Sequence, residues 1–160
     1  MRTSFLYTAI LLLLVSGCAK KESIDPCSYD PCGVVAPASE IQSVQSYLSS
    51  NSLTAIQHCS GAFYIIDVPG AGSSPTICSY INTKYTGRLT DATVFDQGTF
   101  QQPLQLGALI RGWANTLPLI KTGGKMRLFL PPSLGYGNRP AGSIPANSIL
   151  IFDIELTTVQ

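Results

Sequence analysis

Few side chains in this sequence could do chemistry, and their types exclude more than they offer. His58 is the only histidine; it stands beside Cys59, and no serine sits on the strand-to-helix elbow that a hydrolase nucleophile needs. Asp67, Asp91, Asp96, Asp153 and Glu155 are too scattered to suggest the facing carboxylates of a glycosidase. Gly70-Ala71-Gly72 precedes no helical pattern, so it matches no phosphate loop. With a single histidine, the cysteine spacing fits no zinc pattern, and neither a metal nor a cofactor is expected. What remains is a set of aromatic rings: Tyr85, Phe95, Trp113, Tyr136 and Phe152. Each lies at the end of a strand-like run or beside a loop, and Asp96 adjoins one of them. Taken singly, each ring is more often core than site, and Asp96 more often a turn or capping carboxylate.

Short elements must position these rings. In the stretch Gly107–Met126, Ile110, Trp113 and Leu117 recur at i, i+3 and i+7 and so share one helical face. Pro118 lacks an N–H and would clash with the Ala114 carbonyl, which predicts a helix of about two turns. A helix that short is marginal alone, so the strand-like runs around it must hold it. Ala62–Val68 is rich in aromatic and β-branched residues and ends at Pro69-Gly70. Thr76–Thr86 alternates, with Ile77, Ile81 and Tyr85 on one face, and Thr93–Phe95 reads as a short strand. Lys125–Leu130 sets Met126, Leu128 and Leu130 on one face before Pro131-Pro132, and the loop Ser133–Asn147 follows. The closing run Ser148–Leu156 points Leu150, Phe152, Ile154 and Leu156 inward. The expected class is α+β: an antiparallel sheet of about five strands closing on one short helix, with Trp113 as a pocket floor. Charged residues are only 12 % of the 160 and the net charge is +1, which argues against binding nucleic acid through its phosphates.

The N-terminal segment reads as an address. Arg2, the apolar run Phe5–Val15 and the small residues Ser16-Gly17 form an export signal, and Lys20-Lys21-Glu22 arrives too early for a membrane span. Val15-Ser16-Gly17-Cys18 also resembles a bacterial lipobox, which implies cleavage before Cys18 and lipid on that residue. Four segments are expected: a signal at 1–17, a lipidated flexible tether at 18–38, a helical preface at 39–60 and the main domain at 61–160. In the preface Ile41, Val44 and Leu48 share a helical face over Glu40–Ser50. Cys27, Cys32, Cys59 and Cys78 remain, and in an oxidising compartment they favour two disulfides. Of the three connectivities, Cys27–Cys32 with Cys59–Cys78 is preferred: the first pair is close in sequence, and the second could join neighbouring strands.

Taken in order, Tyr85-Thr86-Gly87-Arg88-Leu89, Val94-Phe95-Asp96 and Leu109-Ile110-Arg111-Gly112-Trp113 closely resemble successive motifs of the FKBP-type peptidyl-prolyl cis/trans isomerases, the macrolide-binding immunophilins. Gly135-Tyr136-Gly137, Gly142-Ser143-Ile144-Pro145-Ala146-Asn147 and Leu150-Ile151-Phe152-Asp153-Ile154-Glu155-Leu156 complete the series. The resemblance covers about residues 61–159 and implies an antiparallel sheet curved around a short helix. It further implies a pocket walled by Tyr85, Phe95, Tyr136 and Phe152 and floored by Trp113. Leu109 and Ile110 would form the rim, with the Ile110 N–H taking a substrate carbonyl, and Ile144 would close the loop side. Catalytic roles would fall to Asp96, Tyr136 and Trp113. Three features depart from the family pattern. The loop Asp96–Leu106 is shorter than in the compact eukaryotic members, leaving Phe100 to replace the phenylalanine they contribute from it. Ala92 stands where a glycine is usual, and Pro118 interrupts the helix.

The implied activity is rotation about X–Pro bonds in proline-containing segments of exported proteins, without a cofactor, and macrolides are a further implied ligand class. The signal and lipobox imply a bacterial cell envelope, and Ala19 after Cys18 lacks the aspartate of inner-membrane retention, so the outer membrane is expected. Membrane attachment would be through the lipid at Cys18 alone. The rival reading, a client-binding lipoprotein module with little or no turnover, draws on the short loop after Asp96.

Overall fold

The computed structural model describes residues 27–160, so the signal segment and Cys18 lie outside the described residues. The chain runs α1 (Ala38–Ser50), β1 (Ile56–Gln57), β2 (Phe63–Val68), β3 (Tyr80–Arg88), β4 (Val94–Thr99), β5 (Leu104–Gln105), α2 (Arg111–Thr116), β6 (Lys125–Leu130) and β7 (Leu150–Val159). The strands form one seven-stranded antiparallel sheet in the order β1-β2-β6-β7-β3-β4, with β5 paired to the start of β3. β1 and β5, each two residues long, carry too little pattern to be read from sequence. The segment from Thr76 is a turn, closed by Ser79 N–H to the Thr76 carbonyl at 3.0 Å, so β3 begins only at Tyr80.

Alternation sorts the side chains to two faces. On one face Ile81, Met126, Leu128, Leu130, Phe152 and Ile154 form the main core with Trp113 and Leu117. On the other, Phe63, Phe129 and Ile151 pack against Val44 and Leu48 of α1. Register shifts after Ile66, Asn82 and Gly87 break the ladders locally, as bulges that bend a sheet do. The helical preface is thus built into the domain, with α1 covering the second face and β1 extending the sheet. α2 ends at Thr116 and passes into a 3₁₀ turn, Leu117–Leu119, that contains Pro118.

The cysteine pairing corrects the sequence expectation. Cys27 joins Cys78 and Cys32 joins Cys59, with Cα separations of 5.4 and 5.3 Å. Cys59 sits between β1 and β2, whereas Cys78 precedes β3, and the sheet places β6 and β7 between β2 and β3. Three strand spacings of about 4.8 Å put those regions about 14 Å apart, beyond the reach of a direct disulfide. Residues 27–32 bridge that gap, since five residues extended reach about 17 Å. The Asp30–Gly33 turn, with Cys32 N–H on Asp30 Oδ1 at 2.8 Å, keeps Cys27 and Cys32 from meeting each other. From Cys27 onward the expected flexible tether is therefore an arm strapped to the domain. Ala36 N–H bonds the Ser60 carbonyl at 2.9 Å, and Tyr29 Oη–H donates to Asn115 Oδ1 of α2 at 2.5 Å.

Two outcomes are expected. Non-reducing peptide mapping finds Cys27–Cys78 and Cys32–Cys59; replacing Cys27 and Cys78 together by serine lowers stability by about 4 kcal/mol in a denaturant melt, the chain-entropy value for the 51-residue separation. Ala92 has φ +70°, a left-handed conformation that costs a residue bearing a Cβ. Ala92→Gly is expected to raise stability by about 0.5–1 kcal/mol in the same melt, the relief of strain exceeding the greater entropy of unfolded glycine.

Candidate functional site

Of the expected rings, which come from separate elements, Tyr85 and Phe152 meet Trp113, Phe95 joins them through Phe152, and Tyr136 stands apart. The Trp113 indole meets the Tyr85 ring of β3 edge-on, centroids 5.5 Å apart, and the Phe152 ring of β7 at 5.3 Å. Phe95 of β4 meets Phe152 edge-on at 5.5 Å. Phe100, one residue past β4, lies 5.5 Å from Tyr85 and 6.1 Å from Trp113, so it belongs to the cluster. Its sequence signal was faint: an aromatic just after a strand whose last residues could not be read. Trp113 and Phe152 are buried, 4 % and 3 % exposed, while Tyr85, Phe95 and Phe100 are half-buried. The cluster therefore has an enclosed floor and a partly open side.

Register explains the gathering. β3 and β7 pair Gly87 with Phe152 and Tyr85 with Ile154, setting residues of one face side by side. Gly87 leaves room for two rings: a Cβ there would stand 2.5 Å from Phe95 Cζ and 2.9 Å from Phe152 Cε1. That role could not be seen in the sequence, because it depends on rings from two other strands.

The polar groups sit at the edge. Tyr85 Oη–H donates to Asp96 Oδ2 at 2.7 Å, and Asp96 is exposed. Burial first, then the Asp96 hydrogen bond and charge, and lastly Tyr136, push the Tyr85 hydroxyl up to about 12. Tyr136 lies in the loop beyond the 3₁₀ turn Pro132–Leu134 and is 46 % exposed, making no ring contact with the cluster. Ile144 is buried in the main core, its N–H and carbonyl exchanging 3.0 Å bonds with Ala141. Leu109 and Ile110 are half-buried beside the cluster, and the Ile110 N–H donates to no acceptor among the described residues. Trp113 Nε1 is also buried without an acceptor among the described residues. Such an orphaned donor carries a cost of about 1–3 kcal/mol. His58 is remote in role: its Nδ1 lies 2.9 Å from Ser60 Oγ, and burial lowers its pKa.

Residues 72–157 match the family model described as FKBP-type peptidyl-prolyl cis-trans isomerase, more than half of the chain. The chain belongs to the FKBP-type peptidyl-prolyl cis-trans isomerases. Among curated relatives, the FkpA isomerase of Aeromonas hydrophila is 39 % identical over 104 residues, covering 63 % of this chain and 39 % of its own length. The chain thus spans about two fifths of that FKBP-type relative. Among solved structures, FkpA from Escherichia coli superposes with a TM-score of 0.68 at 30 % identity, covering 77 % of this chain and 60 % of that one. The peptidyl-prolyl cis-trans isomerase from Pseudomonas syringae pv. tomato gives 0.67 at 30 % identity, covering 80 % and 99 %. The α+β fold read from the sequence is the FKBP fold, with more strands than the five expected.

Two measurements probe this geometry. In an absorbance titration one tyrosine is expected to ionise near pH 12, and Asp96→Asn brings it down toward the ordinary value. Because the folded pKa is raised, this group's share of stability is present below about pH 10 and is lost as pH rises toward 12. Gly87→Ala is expected to destabilise the fold by about 1–3 kcal/mol through overpacking and to shift Trp113 fluorescence as the rings move.

Proposed function

We propose that the protein catalyses cis/trans isomerisation of X–Pro peptide bonds in exported proteins, with the aromatic cluster as its active site. The observation that carries this reading is the cluster of rings around buried Trp113, with an Ile110 N–H beside it that donates to no acceptor among the described residues. Rotation about an X–Pro bond faces a barrier of about 20 kcal/mol because twisting destroys amide resonance. The twisted amide is less dipolar than the planar one, so stripping water from it among apolar rings penalises the ground state more. Trp113, Phe152, Phe95, Tyr85 and Phe100 supply those rings. The Ile110 N–H holds the carbonyl of the substrate, Leu109 and Ile144 border the cluster, and Asp96 holds Tyr85 through its hydroxyl. Tyr136 closes over the open side and offers its hydroxyl. A rate gain of 10⁴ needs only about 5.5 kcal/mol, within reach of desolvation, one backbone hydrogen bond and shape. No proton moves.

The place of action proposed is the bacterial envelope, with the chain held at the outer membrane by lipid on Cys18. The two disulfides support an oxidising compartment. No described helix is long and apolar enough to cross a membrane. Phe100 within the cluster favours turnover over the client-holding alternative, since that alternative drew on a missing loop ring. The anchor is tested by fractionation: Cys18→Ser is expected to release the protein from membranes, and retention after a salt wash would reject it.

Catalysis is tested with an X–Pro peptide bearing an apolar residue before proline. The rate is expected to stay flat from about pH 6 to 8, since the ring cluster contains no histidine and the Tyr85 hydroxyl is pushed up to about 12. Trp113→Ala is expected to lower kcat/KM and to cost about 3–5 kcal/mol of stability. Tyr136→Phe, on an exposed side chain, should spare the fold and cost about 1–2 kcal/mol in kcat/KM if its hydroxyl bonds the substrate. A bell-shaped pH profile, or loss of activity on replacing His58, would sink the desolvation mechanism.

A further inference from the structure

A concavity opens between α2 and the N-terminal arm. Tyr29, Ile77, Gly107, Leu109, Arg111 and Ala114 line it, and its volume is about 280 Å³. One water occupies only about 30 Å³, so there is room for a side chain. Leu109 lines this groove and also packs against the core cluster that contains Trp113, so the groove lies next to the border of the ring cluster.

Two features give the groove a chemical preference. Arg111 is exposed, directly follows Ile110, and makes no ion pair among the described residues. None of the six lining residues is acidic, and the nearby Asp30 accepts the Cys32 N–H within its own turn. The far wall is also held firmly. Cys27–Cys78 and the Tyr29–Asn115 hydrogen bond fix the arm, while Leu106 and Gly107 N–H groups bond the Ser79 and Ile77 carbonyls, each at 2.9 Å. A polypeptide whose X–Pro carbonyl rests on the Ile110 N–H must leave the ring cluster over its border, and Leu109 and Arg111, the two neighbours of Ile110 in the chain, both line the groove.

We propose that this groove is a subsite for the client chain flanking the X–Pro bond, and that Arg111 selects a carboxylate side chain there. The proposal rests on the isomerase reading above and adds a substrate preference to it. An exposed ion pair of this kind corresponds to a preference of about two- to fivefold.

The test uses the intact, oxidised protein and a panel of X–Pro peptides. Glu or Gln is placed in turn at each of the three positions on either side of the X–Pro pair. Both kcat/KM and the dissociation constant, read from the fluorescence of the single tryptophan Trp113, are measured. Turnover of the Gln peptides reports on the isomerase reading; the Glu-to-Gln ratio, readable from binding even without turnover, reports on the subsite. At one position the ratio is expected to reach about two- to fivefold, to fall toward one at about 1 M salt, and to vanish in Arg111→Gln. Arg139, another exposed cation without an ion pair among the described residues, serves as the rival, and Arg139→Gln is expected to keep the ratio. Ratios near one at every position would overturn the proposal. So would a preference that survives Arg111→Gln or disappears in Arg139→Gln.

Discussion

The six-residue helix α2 lies tight against β6 at Gly112, where a Cβ would stand 2.3 Å from Leu130 Cδ2. A side chain at that point would have to displace the buried Leu130 side chain or shift the helix that carries Trp113. So short a helix cannot persist on its own hydrogen bonds, and burial of Trp113, Ala114 and Leu117 is what keeps it in place. The distance between helix and sheet therefore sets both the stability of the core and the position of the ring on which the site is built. Gly87 plays the same part on the opposite side, since its missing Cβ is the space that Phe95 and Phe152 fill.

The arm before α1 is held by a different means. It buries little apolar surface, Ala36 being its one buried residue among those described, so covalent links take the place of a core. One disulfide reaches the turn before β3, whose carbonyls hold the segment leading to Leu109 and Ile110. The other reaches the β1–β2 connection at the far edge of the sheet. The arm thereby becomes a wall of the surface beside the site instead of a loose spacer.

The chemistry of the site follows from what its groups can do at neutral pH. Asp96 is exposed and engaged with Tyr85, whose own ionisation is pushed far above neutrality, and no histidine stands nearby. A reaction needing a proton relay has no relay in this cluster. A reaction needing a dry, shaped environment and one fixed donor has both.

Much of this was legible in the sequence because it is written in local patterns. The strand alternation of Lys125–Leu130 and Ser148–Leu156, the i, i+3, i+7 spacing around Trp113, and the break at Pro118 depend only on neighbours along the chain. So did the list of rings, Tyr85, Phe95, Trp113, Tyr136 and Phe152, which family motifs mark in order. What the sequence alone could not decide were the meetings between distant segments. The disulfide partners turned on β6 and β7 lying between β2 and β3, a fact of strand order that cysteine spacing does not contain. The place of Phe100 turned on β4 continuing to Thr99 beside β3, and the union of arm and α2 turned on a Tyr29–Asn115 contact spanning 86 residues. Local pattern records which face a residue shows; only the closed sheet, with its register and order, determines what that face meets.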